Sequence, residues 1–304
     1  MTMVGKQLRG AVHRVAGRVV RGTAAQEKAT RPAPTSIERY LAGDRAPWSD
    51  GYGEYRWHVT EQTLADADLM RRFKKAEALP AGYGVRLDER VIEYPWVLSR
   101  LSDGPGRLLD AGSTFNYPSI LERPVLAGRQ IVIVTLAPGT FMERKPNVSY
   151  LFNDLRDLIL RDSVFDTVVC ISTLEHIGLD NTQLYSTDHQ YAEHDLQGYQ
   201  PALSELRRVL KPGGRLLLTV PFGAAEDHGW LQQFDQAGIQ QIIAGFGGGV
   251  AAEVYYGYSA AGWQISTADA CAGVNYFNVH AHQDAPADGA AAARAVCCLE
   301  LIRA

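Results

Sequence analysis

The stretch Arg107–Pro118, which reads RLLDAGSTFNYP, decides the fold of this 304-residue chain. Leu108 and Leu109 end a short apolar run of the kind that forms a buried strand, and Asp110 closes it. Gly112 then permits a sharp turn of small and polar residues, which leaves the backbone open to a ligand. A strand that enters such a turn before a helix is the usual way in which an open α/β sheet builds a ligand site at its carboxyl edge.

From this strand to the C-terminus, strand-like and helix-like patterns alternate, which predicts a mostly parallel sheet. A helix over Pro201–Leu210 is indicated by apolar residues at helical spacing. We therefore predict a Rossmann-like, doubly wound α/β fold over residues 107–304, with a seven-stranded sheet. The predicted strands are Leu108–Asp110, Gln130–Leu136, Asn147–Tyr150, Phe165–Ser172, Arg215–Val220, Glu253–Tyr258 and Ala295–Ile302.

Two further segments precede this domain. Residues 1–35 form a basic amphipathic tail and linker, in which residues 1–32 carry a net charge of +6. The tail is either a solvated segment or a peripheral contact to an anionic membrane surface. Residues 36–106 are predicted to be a helical N-terminal extension, which either covers a substrate pocket or pads the edge of the core.

Composition limits the functions that are open to the chain. The net charge is −4, so the part beyond residue 32 carries −10, which argues against broad nucleic-acid binding. No apolar run approaches the roughly 20 residues of a transmembrane helix. The four cysteines form no C-x-x-C pair, which gives no support to a metal site, and buried free thiols fit a cytoplasmic location.

Four pieces of the chain, in this order, resemble class I S-adenosylmethionine-dependent methyltransferases. They are LLDAGS at 108–113, NDLRDL at Asn153–Leu158, FDTVVCISTLEHI at 165–177 and ELRRVLKPGGRLLLTVPFG at Glu205–Gly223. Within the family, the chain is most similar to type 11-like methyltransferases of the small-molecule and surface-glycan branch. The resemblance implies S-adenosyl-L-methionine as cofactor, and O- or N-methylation of a small molecule or a sugar.

The resemblance also assigns roles to residues. The loop after the first strand would approach the methionine part of the cofactor, and the segment after the third strand would hold the adenine. The family usually ends the second strand with an acid that binds the ribose, where this chain has Thr135, and it usually has more glycines in the first loop. The implied cofactor-binding residues are Asp110, Ala111, Gly112, Ser113, Thr135, Asp154, Leu155, Ser172 and Thr173.

Catalysis of methyl transfer rests mainly on alignment, since the sulfonium of the cofactor is already activated. An oxygen or nitrogen acceptor can need a base, and His176, which follows Glu175 beyond the fourth strand, is the first candidate. An imidazole there is expected to exchange a proton near neutral pH. Acid–histidine clusters at Asp188–His189, Glu193–Asp195 and Glu226–His228 are alternatives, read mainly as solvated loops and not as a metal site.

Two other classes of function stay open at the level of sequence. The departures in the first loop and the second strand are compatible with a non-catalytic or differently liganded Rossmann-like protein that acts as an adaptor. A nicotinamide oxidoreductase is less well supported, because it would need a fuller glycine fingerprint and an acid at the end of the second strand.

Overall fold

The computed structural model describes residues 34–138, 142–185, 188–281 and 286–304. The basic segment 1–32 lies outside the described residues, so both of its interpretations stay predictions. Among the described residues, no helix is both long enough and apolar enough to cross a membrane.

A central sheet of eight strands organises the molecule. Its strands are β1 (Gly106–Ala111), β2 (Arg129–Thr135), β3 (Val148–Phe152), β4 (Phe165–Ile171), β5 (Leu210–Pro221), β8 (Gly249–Ser259), β9 (Gly262–Ser266) and β10 (Ala295–Ile302), and a separate small ribbon holds β6 (Glu226–Asp227) and β7 (Gln232–Gln233). The order across the sheet is β3-β2-β1-β4-β5-β10-β8-β9. Strands β1 to β5 are parallel, so their carboxyl ends meet at one edge, whereas β10, β8 and β9 pair antiparallel.

The predicted Rossmann-like α/β fold is confirmed, but the count of seven strands is wrong. All seven predicted strands are present, and β9 is the eighth. It forms a hairpin with β8 through the two residues Ala260 and Ala261. Two-residue hairpin loops usually contain Asn-Gly or a similar pair of residues. Because two alanines stand here instead, the residues of the turn do not predict a hairpin.

Helices cover both faces of the sheet. They are α1 (Pro34–Ala42), α2 (Tyr52–Ala65), α3 (Ala67–Lys75), α4 (Arg90–Arg100), α5 (Pro118–Leu121), α6 (Thr182–Tyr185), α7 (Tyr199–Val209), α8 (Gln236–Phe246) and α9 (Ala268–Cys271). One apolar cluster joins the N-terminal extension to the sheet through buried Phe73, Trp96 and Trp263. The other lies beneath α7 and α8, around Leu206 and Ile242. The extension is helical, as predicted, and packs directly on the sheet.

Helix α4 crosses the sheet near β4 and β5 and contains a proline in its interior. Pro95 has no N–H, so the carbonyl of Val91, four residues earlier, loses its helical donor. The Tyr83 hydroxyl donates to that carbonyl instead, at 2.6 Å. The helix therefore continues through Pro95 and holds Arg90, at its first turn, over the carboxyl edge of the sheet.

Candidate functional site

Asp110 organises the loop that follows β1. Its side chain is fully buried and accepts hydrogen bonds from the Thr114 backbone N–H (3.2 Å), the Thr114 hydroxyl (3.0 Å) and the Phe115 backbone N–H (2.8 Å). Burial raises the pKa of Asp110 to about 6, although these donors favour the charged form. The Asp110 carboxylate thus stabilises the conformation of the loop through these three hydrogen bonds.

Gly112 brings this loop against the exit of β4. Its φ is +116°, and a Cβ built on it would lie 2.1 Å from Oγ1 of Thr173. The sequence analysis explains Gly112 by the approach of a ligand. The structure adds a second reason, which is the close contact with Thr173 inside the protein. Together the two residues form the floor of a cavity.

The cavity has a volume of about 320 Å³ and opens at the carboxyl edge of β1, β2 and β4. This is where an open α/β sheet binds its ligand. The predicted site residues that line it are Gly112, Thr135, Asp154, Leu155, Ser172, Thr173 and His176. Asp110, Ala111, Ser113 and Glu175 are not among the lining residues, and of these Asp110, Ala111 and Glu175 are buried.

At the β3 end of the cavity, Asp154 is engaged by a neighbouring cation. Its carboxylate accepts from the backbone N–H of Arg156 (2.8 Å) and from the Arg156 guanidinium (2.7 Å). The same guanidinium forms a two-point pair with Glu193 (2.6 and 2.9 Å), from the loop after α6. Burial opposes the effect, but these Arg156 hydrogen bonds lower the pKa of Asp154, and Glu193 and Asp154 raise the pKa of Arg156. Leu155, beside them, supplies a buried apolar wall.

At the end of β2, the position of the usual acid is taken by Thr135, and Tyr185 of α6 lies against it. Burial raises the pKa of Tyr185, while its hydrogen bond to Thr135 opposes the rise. Asn181 also lines the cavity, and its amide N donates to the carbonyls of His176 and Leu179. The Asn181 Oδ1 is buried and accepts no hydrogen bond among the described residues. The cavity wall therefore offers a free acceptor oxygen.

At the β4 end, a buried carboxylate ties the extension to the sheet. Glu93 of α4 is fully buried and accepts from the hydroxyls of Ser172 and Thr219. Arg90, one turn earlier, donates from Nη1 to Oε2 of Glu93 at 2.8 Å and lines the cavity. The N-terminal extension thus contributes a cation to the site.

His176 stands on the same wall with its ring orientation fixed. Its Nδ1 lies 2.9 Å from the carbonyl oxygen of Trp230, and the two rings are 5.1 Å apart. A carbonyl oxygen can only accept, so Nδ1 carries the proton and Nε2 keeps its lone pair. Burial lowers the pKa of His176 to about 4. This direction runs against the expectation of an imidazole that exchanges a proton near neutral pH, and the hydrogen bond to the Trp230 carbonyl opposes the lowering.

Glu175 is buried behind His176. It is 1% exposed, its Oε1 lies 4.0 Å from Nε2 of His176, and its Oε2 has no hydrogen-bond partner among the described residues. Burial raises the pKa of Glu175 well above its usual value, with nearby Glu93 adding to the rise. At 4.0 Å, Oε1 of Glu175 lies beyond hydrogen-bonding distance of Nε2 of His176.

Two of the acid–histidine clusters, at 193–195 and 226–228, contain paired side chains. His194 Nε2 is 3.3 Å from the Asp227 carboxylate, and His228 Nε2 is 3.5 Å from that of Glu226. Glu226 also accepts from the backbone N–H of Tyr276. In the part of the chain that the structure describes, no three acid, histidine or cysteine side chains are grouped so that they could hold a metal ion.

The lining residues that were not predicted as site residues include Arg90, Asn181, Tyr185 and Glu193. Glu193 belongs to an acid–histidine cluster that the sequence predicts to lie in a loop. Its ion pair with Arg156 could not be predicted from the neighbouring residues. Arg90 lies 16 residues ahead of β1, in the first turn of α4. These contacts come from tertiary packing, which spacing alone does not encode.

Comparison with known proteins agrees with the architecture. Residues 121–218 match the family model described as a methyltransferase domain, a range that holds β2 to β4 and most of β5. No curated protein sequence matches the chain.

Solved structures are similar to this chain at low sequence identity. A chain from a Haloferax volcanii complex that contains the Trm112 methyltransferase activator is 13% identical, with a TM-score of 0.45, and the alignment covers 81% of this chain and 98% of that one. N-methyltransferase NodS from Bradyrhizobium japonicum in complex with S-adenosyl-L-homocysteine is 16% identical, with a TM-score of 0.41 and 82% and 98% covered. A SAM-dependent methyltransferase from Methanosarcina mazei is 13% identical, with a TM-score of 0.40 and 67% and 96% covered. None of these similarities is close enough to transfer a substrate.

The match over residues 121–218 and the Rossmann-like sheet support a methyltransferase domain in this chain. Its cofactor is S-adenosylmethionine. The residues of the cavity fit such a molecule, because Leu155 offers an apolar wall at the β3 end and Asn181 Oδ1 is a buried acceptor without a partner among the described residues. A cation, Arg90, lies at the β4 end.

Proposed function

We propose that the protein transfers the methyl group of S-adenosylmethionine to an oxygen or nitrogen of a small molecule or a sugar. The acceptor would enter beside His176 and Arg90, and the adenosine would lie toward Asp154 and Leu155. The observation that carries this proposal is that one cavity lines up these residues along the carboxyl edge from β3 to β4.

The cofactor supplies an activated methyl group on its sulfonium, and the protein supplies alignment and a dry environment. Gly112 and Thr173 form the floor against which the reacting parts are held. The loop that bears Glu193 is tied across the β3 end by Arg156, which restricts the access of water there.

His176 serves in this proposal as a neutral acceptor of a hydrogen bond. Its Nε2 lone pair would bind the O–H or N–H of the acceptor molecule and orient the attacking atom. With a pKa of about 4 it is a weak base, so it assists a proton transfer only as the bond to the methyl group forms. His176 therefore contributes to methyl transfer mainly by orienting the acceptor, and less by acting as a base.

The test combines binding with transfer of a labelled methyl group. The full chain is titrated calorimetrically with S-adenosylhomocysteine and, as a control, with NAD. It is then incubated with methyl-deuterated S-adenosylmethionine and panels of sugars, phenols and amines, and products are sought by mass spectrometry. We expect saturable binding of S-adenosylhomocysteine alone and a product that carries one deuterated methyl group.

Two results would count against the proposal in different ways. Absence of S-adenosylhomocysteine binding would overturn the methyltransferase assignment itself. Binding without any methylated product in the panels would favour the non-catalytic adaptor that the sequence leaves open. His176→Gln, which keeps an amide acceptor in place of the imidazole, separates positioning from proton transfer once a product is known.

A further inference from the structure

The Asp154 carboxylate lines the cavity at the β3 end, but its hydrogen-bonding capacity is already used within the protein. Its Oδ1 accepts from the backbone N–H (2.8 Å) and from Nε (3.1 Å) of Arg156, and its Oδ2 accepts from Nε (3.1 Å) and Nη2 (2.7 Å) of the same residue. An ionised carboxylate offers about four lone-pair sites. A ligand could therefore use Asp154 as an acceptor only by displacing Arg156.

A second carboxylate holds the other edge of the Arg156 guanidinium. Nη1 donates to Oε2 of Glu193 at 2.6 Å, and Nη2 donates to Oε1 at 2.9 Å. Arg156 thus lies between Asp154 and Glu193 and donates to both acids from Nε, Nη1 and Nη2. Two-point contacts of this kind fix the orientation of a planar guanidinium.

The charge on Asp154 favours Arg156 over a neutral donor. Burial opposes the effect, yet the hydrogen bonds from Arg156 keep the pKa of Asp154 below its usual value, so the carboxylate is ionised at neutral pH. The exocyclic amino group of a purine is an uncharged donor. At this carboxylate it would have to replace guanidinium N–H groups that carry the opposite charge. We therefore expect Arg156 to keep Asp154 when a base enters the cavity.

The neighbouring lining residues offer apolar contact or are engaged elsewhere. Leu136 and Leu155 both line the cavity. Asn153 lines it as well, but its Oδ1 accepts from the backbone N–H of Ile159 and its Nδ2 donates to the carbonyl of Asp157. A planar ring that lies at this end is therefore held mainly by apolar contact.

We propose that Arg156 is a specificity-determining residue, which withholds the Asp154 carboxylate from the cofactor so that the base is bound without recognition of its 6-amino group. This inference rests on the proposed function, which places the adenosine at this end of the cavity. The segment after β3 still holds the base, through Leu155, but its acid does not select it. The ligands that fit are then purine nucleosides in which the 6-position is not distinguished.

The test compares S-adenosylhomocysteine with its 6-deamino analogue, in which hydrogen replaces the amino group. Affinities of both ligands are measured by calorimetry for the full-length wild type, Asp154→Asn, Arg156→Met and the double variant. We expect the wild type and Asp154→Asn to bind the two ligands within about threefold, which is less than one hydrogen bond to a charged group. Arg156→Met frees the carboxylate, so it should prefer S-adenosylhomocysteine roughly tenfold or more, and the double variant should lose this preference.

Arg208→Met is the matched control. Like that of Arg156, the Arg208 side chain is 30% exposed and pairs with two carboxylates, those of Asp162 and Glu205, but Arg208 does not line the cavity. This variant should keep the wild-type ratio of the two affinities.

Two results would overturn the proposal. One is a wild type that prefers S-adenosylhomocysteine by about tenfold or more, since a hydrogen bond to the amino group is then present. The other is an Arg156→Met variant whose ratio equals that of the wild type. If the wild type binds neither ligand, the proposed function fails first, so the two failures are distinguishable.

Discussion

Replacing Gly112 by alanine should destabilise the protein through one specific contact. Two costs add at this position. A non-glycine residue at φ +116° is strained, at about 1–3 kcal/mol. In addition, the new Cβ would lie 2.1 Å from Oγ1 and 2.6 Å from Cγ2 of Thr173.

The second cost follows from what Thr173 must do to make room. Its hydroxyl donates to the carbonyl of Ile171 at 2.9 Å, and a rotation away from Gly112 breaks that bond, at about 1 kcal/mol. Overpacking of this kind typically costs about 1–3 kcal/mol more. The total for Gly112→Ala is then about 3–7 kcal/mol, a large part of the stability of an ordinary domain.

Gly104 provides a matched control in the loop before β1. Its φ is +101°, and a Cβ there would meet nothing within 4 Å. Gly104→Ala should therefore show the backbone strain alone, so that the difference between the two variants measures the contact with Thr173.

The assay is equilibrium unfolding in denaturant for the two single variants, for Thr173→Ala and for Gly112→Ala/Thr173→Ala. The double variant removes Oγ1 and Cγ2, the two nearest atoms, so we expect a favourable coupling of about 1–3 kcal/mol. Gly112→Ala should also weaken S-adenosylhomocysteine, because the cavity floor moves. If Gly112→Ala costs no more than Gly104→Ala, or if the coupling is zero, the packing argument is wrong.

Three further outcomes follow from the site. Tyr185→Phe removes the hydroxyl that lies against Thr135. We expect the affinity for S-adenosylhomocysteine to fall about tenfold, as for one lost hydrogen bond, while the stability is unchanged. An equal affinity of the two proteins in calorimetry would show that the hydroxyl does not bind the ligand. His176 takes up a proton near pH 6.5 in the unfolded chain and only near pH 4 in the folded one, so the free energy of unfolding of the wild type should fall as the pH drops from 6.5 to 4. In urea unfolding, His176→Gln should lack roughly 3 kcal/mol of this fall. Identical pH profiles of the two proteins would contradict the burial of the ring. Glu193→Gln breaks a half-exposed ion pair with Arg156, so the free energy of unfolding should change by less than about 1 kcal/mol. Proteolysis of the loop after α6 should become faster. An unchanged cleavage rate would show that the ion pair does not hold the loop.

The sequence predicted those parts of the fold that depend on local pattern. The apolar runs of β2 and β4 and the helical stripe of α7 lie where spacing placed them. The loop after β1 was also predictable, because a strand, a small-residue turn and an acid at its base occur together in eight residues. The strand β9 was missed, since its hairpin turns on Ala260 and Ala261 rather than on residues that favour such a turn.

The site was only partly predictable, because its electrostatics come from distant segments. Burial lowers the pKa of His176, whose Nδ1 is held by the carbonyl of Trp230, 54 residues later. Arg90 lines the cavity from α4, a helix of the N-terminal extension. Neither relation leaves a trace in residue spacing.

A crystal structure of the full chain grown with S-adenosylhomocysteine tests the central claim most directly. We predict ligand density in the cavity, with the adenine beside Asp154 and Leu155 and the methionine end beside Gly112 and Ser172. Density elsewhere on the protein, or the reverse orientation with the adenine at Arg90, would contradict the assignment of this cavity as the cofactor site.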